Sequence, residues 1–112
     1  SAFTAITRED VVSAFNEVIS LLRQNVPGVL IGVHCCANTD WSILLENDID
    51  ILSFDAYEFF DNLILYSSQL SDFINKGKFL AWGIVPTSEE AIKKETAEGL
   101  AEKLKKNIEL FY

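Results

Sequence analysis

The sequence has few basic residues and no long apolar run, and both absences argue against whole classes of partner. Nine of its 112 residues are Lys or Arg, 17 are Asp or Glu, and the formal net charge is −8. Surfaces that bind nucleic acids or anionic membranes need clustered lysine and arginine. Apolar runs such as that at 29–31 are far shorter than the ~20 residues that cross a bilayer. We therefore predict no nucleic-acid partner and no membrane partner.

Cysteine is also scarce, and methionine is absent. The two cysteines, Cys35 and Cys36, are adjacent, and neighbouring side chains of a strand point to opposite faces. They are therefore a poor framework for a disulfide. The N-terminal segment is polar and carries no pattern typical of a secretory signal. A reducing compartment is expected, and the predicted location is the cytoplasm.

What the chain does have is a regular alternation of helical and strand patterns, over the length of a single domain. Helical spacing of apolar residues is found over 8–24, 41–45, 57–75 and 88–110, and apolar β-rich runs over 29–33, 49–54 and 79–85. The order α-β-α-β-α-β-α predicts an α/β fold with three parallel strands, joined by right-handed crossovers and buried on both faces. Such a sheet is either a small three-layer domain or part of a (β/α)8 barrel, which normally needs ~250 residues.

The single histidine lies beside the cysteines, in the segment GVHCCANTD at the end of the first predicted strand. Functional groups of parallel α/β folds gather at the carboxyl ends of the strands. His34 and Cys36 are two residues apart, so an extended chain places both side chains on one face, while Cys35 points the other way. Imidazole and thiolate together favour zinc. Asp55 ends the next strand and is the predicted third ligand.

Other interpretations of the same residues stay open. Asp55 is also a residue type that caps a following helix, and His34 and the cysteines can serve packing alone. A redox or hydrolytic thiol is a further hypothesis, which requires a reactive thiolate at Cys35 or Cys36. The HC-x5-R loop of tyrosine phosphatases is rejected, because the arginine that it needs would stand at position 41, which is Trp41.

Two segments, GVHCCANTDWSILLENDIDILSFDAY and FLAWGIVPTSEE, resemble the superfamily of cobalamin-independent methionine synthase and uroporphyrinogen decarboxylase, and the resemblance extends over about residues 5–112. It implies a TIM barrel whose zinc binds a substrate thiol and presents it as thiolate to a methyl donor, a folate or a methylcorrinoid protein. His34 and Cys36 would be zinc ligands. Asp55 falls near the family's glutamate ligand, although its side chain is one methylene shorter. From the residues themselves, Asn38 and Trp82 are candidates for lining the pocket, and for Trp82 packing in the core is the favoured alternative, because aromatic side chains near strand ends are more often core residues.

The resemblance also implies parts that this chain lacks. The decarboxylase branch binds its substrate through arginines, and this branch is disfavoured because the two arginines, Arg8 and Arg23, both lie on the first predicted helix. A further cysteine ligand of the family belongs to a last strand, and the chain has no third cysteine. We expect residues 1–112 to form a partial barrel, the C-terminal fragment of a larger zinc-dependent methyltransferase, inactive in isolation. The predicted zinc belongs to the intact protein, and this fragment should hold it only weakly, because two or three protein ligands do not make a closed four-ligand site. Its open sheet edges predict self-association, and the alternative function is a non-catalytic α/β binding or self-association module.

Overall fold

The computed structural model describes residues 6–36 and 39–111, and over these residues the chain is a mixed α/β fold. The helices are α1 (Arg8–Asn25), α2 (Trp41–Leu45), α3 (Phe60–Leu63), α4 (Ser67–Asn75), α5 (Glu89–Lys94) and α6 (Ala97–Glu109). The strands are β1 (Gly32–Cys35), β2 (Ile51–Asp55) and β3 (Phe79–Gly83). A 3₁₀ turn, Ile64–Tyr66, joins α3 to α4. Within this part of the chain, no helix has the length and apolar character needed to cross a membrane.

The three strands form one open sheet in the order β1-β2-β3, and both pairs are parallel. Chain order and spatial order are therefore the same, so each crossover moves the chain one strand further in the same direction. The register aligns His34 of β1 with Ser53 of β2 and Ala81 of β3. The predicted α/β class with a parallel sheet is confirmed.

The two faces of the sheet differ in exposure. On one face, Leu52 and Phe54 of β2 are fully buried under the helices. Helices α1 to α4 contribute the apolar side chains of Ile19, Trp41, Leu44, Leu45, Leu63, Leu70 and Phe73 to this core. On the opposite face, β1 and β3 present the exposed residues Gly32, His34, Phe79, Ala81 and Gly83. The predicted burial of the strands on both faces is therefore wrong for β1 and β3, because the core is built on one face of the sheet.

Helix α1 begins and ends close to where the sequence predicts. The Thr7 hydroxyl accepts the Asp10 N–H, and the Asp10 carboxylate accepts the Thr7 N–H, both at 3.1 Å. The helix ends at Asn25, ahead of Pro27 and Gly28, and Gly28 has φ +79°, a left-handed conformation that glycine adopts without strain. Local side-chain chemistry is therefore sufficient to set both ends of α1.

The helix predicted over 57–75 starts only at Phe60 and is broken by the 3₁₀ turn Ile64–Tyr66, and the helix predicted over 88–110 is broken ahead of α6. After β2 the chain makes a turn before α3 begins, because the Asp55 carboxylate accepts two backbone N–H groups of that turn. The last helix is interrupted ahead of α6, where the Thr96 hydroxyl accepts the Gly99 N–H at 3.0 Å. Side chains that bond to nearby backbone in this way compete with continuation of a helix.

Strand β1 starts later than the predicted strand over 29–33. The Asp50 carboxylate accepts the Ile31 N–H at 2.8 Å, and the Ile31 carbonyl accepts the N–H groups of Asp50 and Ile51. A side-chain bond thus takes the place of the regular ladder at Ile31, and strand pairing runs over Gly32–Cys35. His34 consequently lies inside β1 rather than at its end.

Candidate metal centre at the carboxyl ends of the strands

A cavity of about 170 Å³ opens at the carboxyl ends of the three strands. The residues that line it are His34, Cys36, Phe54, Asp55, Gly83, Val85 and Thr87. All three ligands predicted from the sequence therefore border the same cavity. At Gly83, which borders the cavity, an added Cβ would lie 2.9 Å from the Phe54 carbonyl oxygen, so a side chain at this position would require the backbone to shift.

His34 is held on the exposed face of the sheet by a polar neighbour. Its Nδ1 lies 2.9 Å from the Ser53 hydroxyl oxygen of β2, the residue that pairs with it in the strand register. Because Nδ1 is engaged in this bond, Nε2 is the ring nitrogen that remains for a ligand. Sequence reasoning missed Ser53. The signal that could have found it is a single hydroxyl within the apolar run of β2, two residues before Asp55.

Asp55 stabilises the turn after β2 and does not cap the following helix as the alternative interpretation supposes, because the cap position of α3 is Phe59, which makes no side-chain cap hydrogen bond. One carboxylate oxygen, Oδ1, accepts the N–H groups of Tyr57 at 2.9 Å and of Glu58 at 3.0 Å. These bonds fix the turn after β2 and hold the half-buried carboxylate beside the cavity. The second oxygen takes no part in them. Its role in this turn and a role as a metal ligand are therefore compatible for this side chain.

The two cysteines differ in the way that the strand pattern predicts. Cys36, directly after β1, is exposed and borders the cavity. Cys35 is half-buried and packs against the apolar core on the helix-covered face. The two form no disulfide with each other. Cys36 is therefore the thiol on the same side of the sheet as His34 and Asp55.

His34, Cys36 and Asp55 have the chemical groups that bind zinc, but the three side chains are not close enough to one another to hold an ion together. Imidazole, thiolate and carboxylate are the groups that bind zinc in proteins. Among residues 6–36 and 39–111, however, no three His, Cys, Asp or Glu side chains lie near enough to one another to hold a metal ion. His34, Cys36 and Asp55 thus share a cavity without forming a closed coordination sphere in this conformation.

Trp82 does not line this cavity. It lies on the helix-covered face, where its ring packs against Phe54, Phe60 and Phe111 at centroid distances of 5.0, 5.8 and 5.6 Å. Of the two roles that the sequence leaves open for Trp82, these contacts agree with packing in the core and not with lining the pocket, since alternation along β3 directs its side chain to the core. Asn38, the other predicted pocket residue, lies outside the described residues.

Tyr57 connects the turn after Asp55 to the last helix. Its hydroxyl donates to the Glu95 carboxylate at 2.7 Å, and the Lys103 ammonium lies 3.9 Å from its ring centroid. The hydrogen bond to Glu95 raises the pKa of Tyr57, and burial raises it further. These contacts give Tyr57 a structural role, because they anchor α6 to the segment that carries Asp55.

No family model, curated protein or solved structure matches the chain. The resemblance to the methionine synthase superfamily therefore depends on the sequence segments quoted above alone.

Proposed function

We propose that the chain is part of a zinc-dependent, methionine-synthase-like methyltransferase. In this proposal His34, Cys36 and Asp55 bind zinc, and a thiol substrate takes a methyl group from a folate or corrinoid donor. The observation that supports it is the single cavity bordered by all three side chains at the carboxyl ends of neighbouring parallel strands. That end of the sheet is where parallel barrels carry their active sites.

The proposed architecture is a partial (β/α)8 barrel. Support comes from the sheet, whose strands follow one another in chain order and whose core lies on one face. In a closed barrel the opposite face would be the interior, filled by side chains from the remaining strands. Phe79, which is 58% exposed on that face, is the kind of side chain that such strands would cover.

In the proposed chemistry, the metal would activate the thiol substrate and the chain would supply the ligands that hold the metal. Zinc, when bound, supplies the Lewis acidity that keeps a thiol deprotonated at neutral pH. His34 contributes a neutral imidazole, Cys36 a thiolate and Asp55 a carboxylate that the turn after β2 already holds in place. Because one face of the sheet is open to water, we propose that the isolated chain binds zinc without turning over substrate.

The test of the proposed function is the zinc bound by the reduced chain in equilibrium dialysis against buffered zinc, because a site without a closed coordination sphere would lose its metal on desalting. We expect about one zinc ion per chain, lost in the double variant His34→Ala, Cys36→Ala because two of the three donors are removed. Cys35→Ala is the matched control and should keep its zinc, since Cys35 packs against the core. A native chain without zinc, or a double variant that retains it, would contradict the proposal.

A second candidate function, a self-association module, is favoured by the apolar surface beside β3. A groove of about 550 Å³ runs between the segment after β3 and helices α5 and α6. Its apolar lining includes Ile84, Val85, Pro86, Ile92, Leu100 and Leu104. In this alternative His34 serves packing only, and Asp55 only stabilises the turn after β2. Zinc stoichiometry separates the two candidates, because a module of this kind needs no metal.

A further inference from the structure

A further cavity, of about 80 Å³, lies between the segment after β2 and helix α6. It shares no lining residue with the cavity at the carboxyl ends of the strands. All but one of its lining residues carry a polar side chain: Tyr57, Glu58, Phe60, Asp61, Lys103 and Asn107. One water needs about 10–15 Å³ of such volume, so the cavity has room for a molecule of about six heavy atoms.

Asn107 is the polar residue of this cavity that is buried. Only 9% of it is exposed, and its amide nitrogen Nδ2 has no hydrogen-bond partner among the described residues. A buried donor without a partner costs free energy, and the large majority of buried polar groups in folded proteins are paired. Packing alone therefore does not favour an amide at this position, whereas a ligand that accepts its N–H would.

Lys103 lies one helical turn before Asn107 on α6, so the two side chains share a face of the helix. Its ammonium donates to the Tyr57 carbonyl at 3.2 Å and lies 3.9 Å from the centroid of the Tyr57 ring. No carboxylate of residues 6–36 and 39–111 forms an ion pair with it. An ammonium has three N–H donors, so Lys103 can donate to a ligand oxygen while it keeps its bond to the carbonyl.

Two carboxylates border the same cavity, those of the exposed residues Glu58 and Asp61. Within the part of the chain that the structure describes, neither is paired with Lys103 or with another cation. The cavity is thus bordered by opposite charges that are not joined to each other. A molecule that carries both charges itself can pair with both, and hydrogen bonds between ionised groups are stronger than those between neutral groups.

We propose that this cavity binds a small amino acid in its zwitterionic form. Lys103 and Asn107 bind the carboxylate of this ligand. Glu58 and Asp61 bind its ammonium. A ligand that is only an anion is disfavoured, because the chain with its formal net charge of −8 repels it. The volume of the cavity favours glycine or alanine over larger amino acids. This site is independent of zinc and of the residues proposed to bind it.

The test is a titration of the native chain with glycine, followed by amide proton–nitrogen NMR. We expect saturable shifts in the segment after β2 and in α6, with a Kd of about 0.1–10 mM, because so small a ligand makes few contacts. Acetate and methylamine are the comparison probes, since each carries one of the two charges of glycine. Each should bind about tenfold more weakly or worse, because it makes only part of the charged contacts.

Two variants test the residues proposed to bind the carboxylate. Lys103→Met should weaken glycine binding by about tenfold or more, because it removes the ammonium and keeps a long side chain. Lys105→Met makes the same change at an exposed position of α6 outside the cavity and is the matched control. Asn107→Leu should also weaken binding by about tenfold, while its midpoint of urea unfolding is no lower than that of the native chain, because it removes an unpaired buried amide.

The outcomes separate a binding site from a structural one. Shifts that do not saturate, or glycine binding that survives both Lys103→Met and Asn107→Leu, would overturn the site. A lower unfolding midpoint with unchanged glycine binding in Asn107→Leu would make Asn107 a packing residue and overturn its role. Acetate that binds as tightly as glycine would overturn the zwitterionic ligand, together with the roles of Glu58 and Asp61.

Discussion

Asp50 carries the strongest network of contacts among the described carboxylates at the amino ends of the strands. Its donors are the Ile31 N–H at 2.8 Å, Arg23 at 3.1 Å and Lys78 at 3.2 Å. The Ile31 N–H contributes most to holding the pKa of Asp50 below its usual range, followed by Lys78 and Arg23. The side chain is 15% exposed, so solvent screens these contacts only partly. We infer that Asp50 stabilises the sheet at the end opposite to the cavity.

Asp50→Asn should lower the free energy of unfolding at pH 7 by about 1–3 kcal/mol, because two cations are left beside a neutral amide. A lowered folded-state pKa gives stability that is fully present above the unfolded pKa of about 4 and lost as pH falls through the folded value. The difference in unfolding free energy between native chain and variant should therefore begin to shrink as pH falls below about 4, as measured by urea unfolding. Asp48→Asn, which removes a 67% exposed partner of the same cations, should have an effect below about 1 kcal/mol. A difference that is the same at pH 7 and at the lowest pH at which the native chain stays folded would contradict this account.

The candidate ligands were predictable residue by residue, and their partners were not. His34, Cys36 and Asp55 are found from the alternation of a strand and the rule that strand ends carry function. Ser53 becomes a partner of His34 only through the register of two strands 19 residues apart, which is set by the whole sheet. The sequence alone therefore predicts which side chains border the cavity, but the groups that orient those side chains are found only from the three-dimensional structure.

At the scale of elements, α6 is tied to the fold by a few contacts and by its cap. The Thr96 hydroxyl accepts the Gly99 N–H. Lys103 lies over the ring of Tyr57 in the segment after β2, and Phe111, just after α6, packs against Phe60. Thr96→Ala should therefore reduce the stability of α6 by about 1 kcal/mol. Hydrogen exchange should show faster exchange in α6 and unchanged protection in β2. Thr96→Ser keeps a capping hydroxyl and should behave as the native chain; equal exchange in all three would rule out the cap.

Element boundaries were predictable where the signal is local. Helix α1 begins at the capping box of Thr7 and Asp10 and ends just before the pair Pro27–Gly28. Each signal is only a few residues long. The break ahead of α6 was missed because apolar residues continue at helical spacing across it. Thr96 has Gly99 three residues on in place of a carboxylate, so its cap gives no box pattern.

At the scale of the whole molecule, the apolar composition of the strands led to the wrong prediction that both faces of the sheet are buried. The strands are apolar enough to be interpreted as buried on both sides, yet the exposed positions alternate with the packed ones in β1 and β3. Those positions hold small or polar residues, with Phe79 as the exception. The sequence of a short apolar strand does not show whether one or both of its faces are covered, because the covering elements are distant in the chain. The open face and the unpaired edge of β3 in the described residues are the features from which association is proposed.

We expect the native chain to self-associate at micromolar concentration through β3 and its exposed face, because long open edges and apolar surfaces favour pairing with a second copy. Phe79→Lys should weaken association by about tenfold or more, the equivalent of exposing a buried Phe. Leu65→Lys changes a comparably exposed apolar residue, 79% exposed against 58% for Phe79, on the 3₁₀ turn, and should leave association unchanged.

Because each chain carries a formal charge of −8, association should also strengthen as salt screens the repulsion between the two copies. Sedimentation velocity measures all of these effects, and a native chain that stays monomeric at high salt would refute the proposed surface.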